Sequence, residues 1–201
     1  MSERAGKSCV IKISGTATTM TGEATTTADN TIYQITSTVK QVLDRDTVPT
    51  VLDGVGATSE DYTVNYLTGT FTFESADAGR NITITGKYLP MTTAAYAHTM
   101  SDSRVCNLHE VPKFGDSYID RIAGLKSASG TLSQWDATDE TYKDALTAGD
   151  PIVIEISAIS TDEPDRFWAL LDSDELQAAA DGMQDEVISW VSYDSWLRLG
   201  E

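Results

Sequence analysis

The stretch from Asp61 to Leu89 most limits the folds open to this chain. It reads D-Y-T-V-N-Y-L-T-G-T-F-T-F-E-S-A-D-A-G-R-N-I-T-I-T-G-K-Y-L, with turn residues at 67–69 and 78–80 between three alternating runs. Because successive side chains of a strand point to opposite faces, the pattern predicts a β-meander. Its apolar face is predicted to carry Tyr62, Val64, Tyr66, Phe71, Phe73, Ile82, Ile84 and Tyr88. The opposite, wetter face is predicted to carry Thr63, Asn65, Thr70, Thr72, Thr83 and Thr85.

The rest of the first half also favours β-structure, because 22 of the 27 threonines precede residue 100 and β-branched side chains suit strands. Cys9–Ile13 and Thr31–Leu43 are predicted strands. Residues 14–30 lack periodicity and are predicted to be a loop or arm. Asp44–Pro49 holds three charges and a proline, which predicts a loop.

The second half mixes element types. We predict a connector at 91–100, strands at 104–111, 114–132, 152–159 and 187–199, a helix at 136–146 capped by Thr138 and stopped by Gly149, and one or two short helices at 162–180. The predicted class is α+β, mainly β, an antiparallel sandwich with flanking short helices. We expect a single domain over 1–201, with an N-terminal arm at 1–8 and extended loops at 14–30 and 40–60.

The charge balance excludes one class of partner. The chain has 14 Lys and Arg against 31 Asp and Glu, a formal net charge of -17. Tight binding to phosphate backbones depends on Lys and Arg releasing counterions, so it is not expected here. An acidic exterior that prevents non-specific association is the plainest interpretation. No apolar run approaches the roughly 20 residues of a membrane span, so no membrane insertion is expected.

No catalytic or metal-binding signature in the sequence is complete. The histidines are His98 and His109, and no nucleophile elbow, P-loop or dinucleotide fingerprint is present. Cys106-x-x-His109 with His98 offers three zinc ligands where a structural site takes four. The alternative is a core thiol and two surface imidazoles. We therefore predict no catalytic residues, no metal and no cofactor, and the two cysteines predict folding in a reducing cytoplasm rather than a disulfide scaffold.

Neighbouring acids are predicted to be a solvated helix face, because adjacent helical residues diverge by about 100 degrees and do not converge on a ligand. These pairs are Asp139 with Glu140, Asp162 with Glu163, Asp174 with Glu175, and Asp185 with Glu186.

The chain resembles the major tail tube proteins of long-tailed, siphovirus-type bacteriophages. The resemblance rests on D-Y-T-V-N-Y-L-T-G-T-F-T-F and I-T-I-T-G-K-Y-L-P-M in the first half. In the second half it rests on F-G-D-S-Y-I-D-R-I-A-G-L-K-S-A-S-G-T-L-S-Q-W and A-L-T-A-G-D-P-I-V-I-E-I. It implies a β-sandwich that assembles into hexameric rings, which stack into a tube in the virion through which DNA passes. Implied partners are other copies of the chain, the tape measure protein, and the tail tip and tail terminator proteins.

The resemblance also implies where rings touch. The residues nominated for ring-to-ring or subunit contacts are Ser2, Glu3, Arg4, Lys7, Lys40, Asp44, Arg45 and Asp46. An acidic lumen would let DNA slide, although no lumen-lining residue is assigned. Two alternatives stay open. One is another β-rich virion protein, such as a capsid decoration subunit. The other is an enzyme acting on host polymers through Asp120 or Glu155.

Overall fold

The protein is mainly β. A computed structural model describes residues 9–54, 56–57, 61–75, 80–94, 97–111, 120–135, 141–157, 164–177, 184–194 and 197–198. In these residues the strands form two antiparallel sheets, with one α-helix, which confirms the predicted class. The chain divides into two compact units. Unit 1 comprises Met1–Thr93, Val153–Arg166 and Leu197–Glu201, and unit 2 comprises Ala94–Ile152 and Phe167–Trp196. The single domain stays a prediction.

The strands in chain order are β1 (Val10–Ser14), β2 (Thr18–Thr27), β3 (Ile32–Ile35), β4 (Thr50–Asp53), β5 (Gly56–Ala57), β6 (Tyr62–Asn65), β7 (Thr70–Phe73), β8 (Ile82–Tyr88), β9 (Met91–Thr93), β10 (Ala97–Val111), β11 (Asp120–Trp135), β12 (Ile152–Ser157), β13 (Asp165–Gln177), β14 (Asp185–Ser192) and β15 (Leu197–Arg198). The helix α1 spans Thr141–Ala148, and a 3-10 turn spans Thr38–Lys40.

Unit 1 contains a seven-stranded sheet in the order β5-β4-β8-β2-β3-β7-β6. One face buries a cluster of apolar side chains, as the alternating pattern predicted. The cluster comprises Met20, Tyr33, Ile35, Leu43, Val51, Phe71, Phe73, Ile82 and Ile84, with Tyr62, Val64, Tyr66 and Tyr88 packed against it. The tyrosine and phenylalanine rings meet at contact distance, with centroids of Tyr33 and Phe73 5.5 Å apart and edge-on.

The predicted meander was half wrong. Strands β6 and β7 form the expected hairpin, but β8 pairs with β2 and β4 instead of β7. The free edge of β7 is taken by β3, where Tyr33 is the Cα partner of Phe71. Alternation fixes which face a side chain occupies, but it says nothing about which strand lies alongside.

The predicted loop at 14–30 was wrong, because β2 runs through it. A register shift between Met20 and Glu23, with Gly22 at φ 62°, inserts a bulge that breaks the period of two. Met20 is the one fully buried side chain of the strand, so no alternation was visible. The predicted loop at 40–60 likewise contains β4 and β5, and the connector at 91–100 contains β9 and the start of β10.

The strand predicted at 31–43 ends early. Strand β3 stops at Ile35, where the Gln41 side-chain amide donates to the Ile35 carbonyl at 3.0 Å and closes a tight turn. Val42 and Leu43 then turn inwards and are buried. The predicted strand at 9–13 and the central strand after Pro151 are confirmed as β1 and β12, which pair antiparallel.

Unit 2 contains the antiparallel strand run β10-β11-β14-β13. The helices predicted at 162–180 were wrong, because this segment forms the strand β13. Phe167, Trp168 and Ala169 are consecutive and all buried, so their apolar spacing does not distinguish a strand from a helix. Pairing with β14 and the contact of Phe167 with Trp190, ring centroids 4.9 Å apart, favour the strand.

Two glycines decide local geometry in unit 2. Gly130 lies against the Ser101 carbonyl and the Trp190 side chain, where an added Cβ would clash with the carbonyl oxygen and stand 2.5 Å from the indole Cζ2 atom. Gly149 ends α1 at φ 72°, with its N–H donating to the Ala145 carbonyl at 2.9 Å, which confirms the predicted stop. The predicted cap Thr138 lies outside the described residues. Within the described ranges, no helix has the length and apolarity of a bilayer span.

Candidate assembly surfaces

The loop that follows β3 holds four of the eight predicted contact residues, while Ser2, Glu3, Arg4 and Lys7 lie outside the described residues. Lys40 forms an ion pair with Glu23 and lies over the Tyr88 ring, 5.9 Å from its centroid. Asp44 organises the turn: one carboxylate oxygen accepts the Asp46 N–H at 3.1 Å and the other accepts the Thr47 hydroxyl at 2.7 Å. These side chains therefore stabilise the loop itself.

Backbone hydrogen bonds hold the same loop against the seven-stranded sheet. The Leu43 N–H donates to the Tyr66 carbonyl at 2.7 Å, and the Asp44 N–H donates to the Lys87 carbonyl at 3.1 Å. The Leu89 N–H returns a bond of 2.8 Å to the Val42 carbonyl. A loop fixed in this way has little ordering entropy left to lose when it binds.

Two valines are the most exposed apolar side chains of this loop. Val39 is 68% exposed and Val48 is 78% exposed, whereas of the four predicted residues only Asp46 is exposed. Neither valine is among the residues predicted from the sequence, which are all charged in this loop. An exposed apolar residue in an otherwise polar loop was the available signal. The predicted contact role of Lys40, Asp44 and Arg45 stays a prediction.

The four-stranded run of unit 2 has one buried face and one open face. Leu132, Ile188 and Trp190 are buried on the first. On the open face, a row of hydroxyl side chains crosses all four strands at successive Cα partners: Ser101, Thr131, Ser189 and Ser173. The Ser101 and Thr131 hydroxyls are hydrogen-bonded at 2.9 Å. This row offers a partner small, uncharged groups.

Strand β10 is the edge of this strand run. It is 15 residues long, and among the described strands it pairs only with β11. Strands β10 and β11 form a long hairpin, and β14 pairs with β11 only from Ser129 to Trp135. The part of the hairpin beyond Ser129 is therefore a two-stranded ribbon. An edge of this length presents unpaired backbone N–H and C=O groups that another chain can match.

The three residues considered as zinc ligands do not converge. His98, Cys106 and His109 all lie on β10, where a rise of about 3.3 Å per residue separates His98 from Cys106 by roughly 26 Å. Cys106 and His109 lie on either side of a register shift in the same strand. Cys106 is exposed, so the core-thiol alternative was also wrong. Across the described ranges, no group of three or more His, Cys, Asp or Glu residues is arranged to hold a metal.

His98 takes part in a small cluster at one end of the hairpin. Its Nε2 atom lies 2.9 Å from an Asp185 carboxylate oxygen, and its ring lies 5.4 Å from the Trp135 ring. The neighbouring acid, Glu186, is only 1% exposed and accepts the Gln134 side-chain amide at 2.6 Å. The solvated-helix interpretation was therefore wrong for Asp185 and Glu186, and for Asp174 and Glu175 on β13; the other two acid pairs are outside the described residues.

Glu155, one of the two acids considered for catalysis, is buried in an ion-pair network of unit 1. One carboxylate oxygen accepts Lys12 Nζ at 2.7 Å, and the other accepts Arg166 at 3.0 Å and 2.5 Å. Burial alone would raise the pKa of Glu155, but the hydrogen bonds and charges of Lys12 and Arg166 outweigh it and hold that pKa below its ordinary value. Arg166 also donates to the Leu67 carbonyl. Both oxygens are thus occupied in a structural role.

Comparison with known proteins finds likeness in structure. No family model matches the chain, and no curated protein matches its sequence. One solved structure, "Tail of empty GTA particle computed with helical refinement, C6 symmetry", contains a chain that matches with a TM-score of 0.51 and 13% identity. The match covers 55% of this chain and 87% of that one. The two chains share a fold.

A second structure repeats the result. "Virion of native gene transfer agent (GTA) particle" contains a chain that matches with a TM-score of 0.50 and 15% identity, over 55% of this chain and 89% of that one. Both matched chains come from tail or virion particles, which are phage-like assemblies. The structural matches establish the likeness in fold. At identities this low, they do not transfer the roles of individual residues.

Proposed function

We propose that this chain is a structural virion protein, the subunit of a phage or phage-like tail tube built from stacked six-membered rings. The observation that carries the proposal is the shared fold with a chain of a tail particle solved with C6 symmetry, a match that spans 87% of that chain. This supports the tail-type part of the resemblance to siphovirus tube proteins. The six-membered ring and the stacking of rings into a tube go beyond the shared fold and are part of the proposal.

The edge strand β10 supports self-association. A closed ring needs a heterologous interface, in which one surface of a subunit meets a different surface of the next. A 15-residue edge strand with exposed side chains is a surface of the kind that monomeric proteins normally shorten or cover. Covering it with a neighbouring subunit removes the edge.

The open hydroxyl face supports passage of DNA. Ser101, Thr131, Ser189 and Ser173 offer hydrogen-bonding groups without a cation, and counterion release by Lys and Arg is what fixes DNA to a surface. A duplex that must move quickly needs a neighbouring surface without such cations. We assign this face to the tube lumen as part of the proposal.

The loop after β3 and the N-terminal residues are proposed to join successive rings. The loop is held rigid by Lys40 and Asp44 and exposes Asp46 beside Val48. Residues Ser2, Glu3, Arg4, Lys7 and Arg45 complete the proposed contact set. The tape measure protein, tail tip protein and tail terminator protein are the proposed partners in the finished tail.

The test is negative-stain electron microscopy of the purified protein over a range of concentration and salt, with and without preformed tail tips as nuclei. With tail tips present, we expect hollow tubes of stacked rings. Without tips, we expect the subunit to stay soluble and to form tubes only after tips are added. If the subunit binds singly to mature capsids and never extends a tip, the tail tube proposal fails. The chain would then be a capsid decoration protein, which the match to a virion particle also allows.

A further inference from the structure

The distal half of the β10–β11 hairpin is exposed on both faces. We call residues 103–111 and 121–128 the ribbon, since β14 does not reach beyond Ser129. All of its described side chains are exposed except Val111, Gly124 and Ala128. A two-stranded ribbon in water is marginally stable by itself, because it has no layer against which to pack.

The ribbon carries four large apolar side chains in water. Val105 is 51% exposed, Leu108 60%, Ile122 59% and Leu125 82%. Leu108 is adjacent to His109, and Ile122 is the Cα partner of His109, so the Leu108 and Ile122 side chains lie on opposite faces. A partner that covers one face leaves the other wet, so the ribbon suits insertion between two surfaces rather than adhesion to one.

The charge of the ribbon differs from that of the chain. Arg104 is paired with Asp102 and Arg121 with Glu110, so Lys126 is the described basic side chain of the ribbon outside these two ion pairs. The segment 102–128 holds four basic and four acidic residues, whereas the full chain has 14 basic and 31 acidic residues. The ribbon is therefore a balanced part of an acidic chain, and another copy of the chain offers Lys126 a complementary acidic surface.

We propose that the ribbon of each subunit inserts between neighbouring copies of the same chain and is the element that locks the assembly. This inference rests on the proposed tail function and adds to it a specific surface. Apolar burial on both faces supplies the stabilisation, and Lys126 orients the ribbon against acidic surfaces of its neighbours.

The first test compares Leu108→Ser combined with Leu125→Ser against the wild type. The control is Ile32→Ser, which changes a side chain 45% exposed on the other sheet, in unit 1. Circular dichroism and thermal melting of the monomers should be alike, because the substituted side chains lie in solvent. The protein concentration needed for tube growth from tail tips, measured by light scattering, should rise roughly tenfold or more for the double variant only.

A charge series tests orientation. The concentration needed for growth should increase in the order wild type, Lys126→Met, Lys126→Glu, and the difference between the two variants should shrink as salt rises. Equal concentrations for all three would show that Lys126 contributes nothing, which overturns the proposed orientation.

The exposed thiol of Cys106 reports insertion directly. In a Cys9→Ser variant Cys106 is the single thiol. Its reaction with a maleimide should slow roughly tenfold when monomers join tubes, because bulk reagent no longer reaches it. A wild type that assembles while Cys106 reacts at the monomer rate, or a double variant that grows like wild type, overturns the ribbon proposal and leaves the tail function standing. A wild type that never assembles overturns both.

Discussion

Replacement of Arg166 by methionine should be among the most damaging single changes in unit 1. The side chain of Arg166 is 8% exposed and that of Glu155 is 4% exposed, and the two are joined by bonds of 3.0 Å and 2.5 Å. Methionine fills a similar volume but leaves the Glu155 carboxylate with Lys12 as its one remaining cation. It also removes a donor from the Leu67 carbonyl.

The magnitude follows from burial. Removing one partner of a buried, hydrogen-bonded ion pair costs about 3–5 kcal/mol, because the remaining charge stays desolvated. For a chain of this size each kcal/mol lowers the melting temperature by about 2–4 °C, which gives a fall of roughly 6–20 °C. Lys12→Met should cost about 1 kcal/mol or less, because the Lys12 side chain is 39% exposed and water screens its pair.

The assay is urea unfolding of the dilute monomer at pH 7, followed by tryptophan fluorescence and circular dichroism. A double variant, Glu155→Leu with Arg166→Met, should regain most of the lost free energy of unfolding, because no unpaired buried charge remains. A loss below about 1 kcal/mol in Arg166→Met, or an equal loss in Lys12→Met, would refute the reasoning.

The same network sets a pH dependence. The folded-state pKa of Glu155 lies below its ordinary value, so its contribution is present above the unfolded carboxyl pKa of about 4.3 and is lost as pH falls through the lower, folded value. The stability gap between the wild type and Arg166→Met should therefore narrow as the pH is lowered from 7 towards 3. A gap that widens towards acid pH would contradict the assigned sign.

Other expectations follow from single side chains. Gly130→Ala should lower the melting temperature, because its Cβ meets the Ser101 carbonyl and Trp190, whereas Gly56→Ala, with nothing within 4 Å, should not; equal melting temperatures would contradict this. Phe71→Ala should cost about 3–5 kcal/mol in urea unfolding, since Phe71 is 0% exposed in the core, and a cost under about 1 kcal/mol would disagree. Hydrogen bonds from the Ile32 and Thr31 backbone N–H groups lower the pKa of Asp29, so an NMR titration should give a pKa below 3.8. An ordinary pKa would exclude those hydrogen bonds.

The faces of the strands could be predicted from the sequence where the period of two is unbroken. Phe71, Phe73, Ile82 and Ile84 are buried as predicted, because side-chain direction is a local property of the strand. The neighbour of β8 could not be predicted, because pairing with β2 depends on a segment 50 or more residues earlier in the chain. Local pattern carries no information on that partner.

Elements with irregular geometry were missed for a different reason. The bulge at Gly22 interrupts the alternation of β2, so the strand was not predicted. The consecutive buried residues of β13 have an apolar spacing that also suits a helix. Of the candidate surfaces, the loop at 40–49 was located from the family resemblance, but its exposed Val48 was not. The hydroxyl row requires four strands to be aligned in register, so it is invisible until the pairing is known.

The extra residue in β13 has a consequence for how the chain can change in length. Leu171 and Ser173 face Trp190 and Ser189, which are adjacent, so Asp172 is one residue more than the pairing needs. Deletion of Asp172 would leave the pairing of the other β13 residues with β14 unchanged. Deletion of Asp174 would instead move every later side chain of β13 to the opposite face of the sheet. Insertions and deletions in related chains should therefore collect at this point of the strand, where the chain can change in length while the hydroxyl row stays aligned.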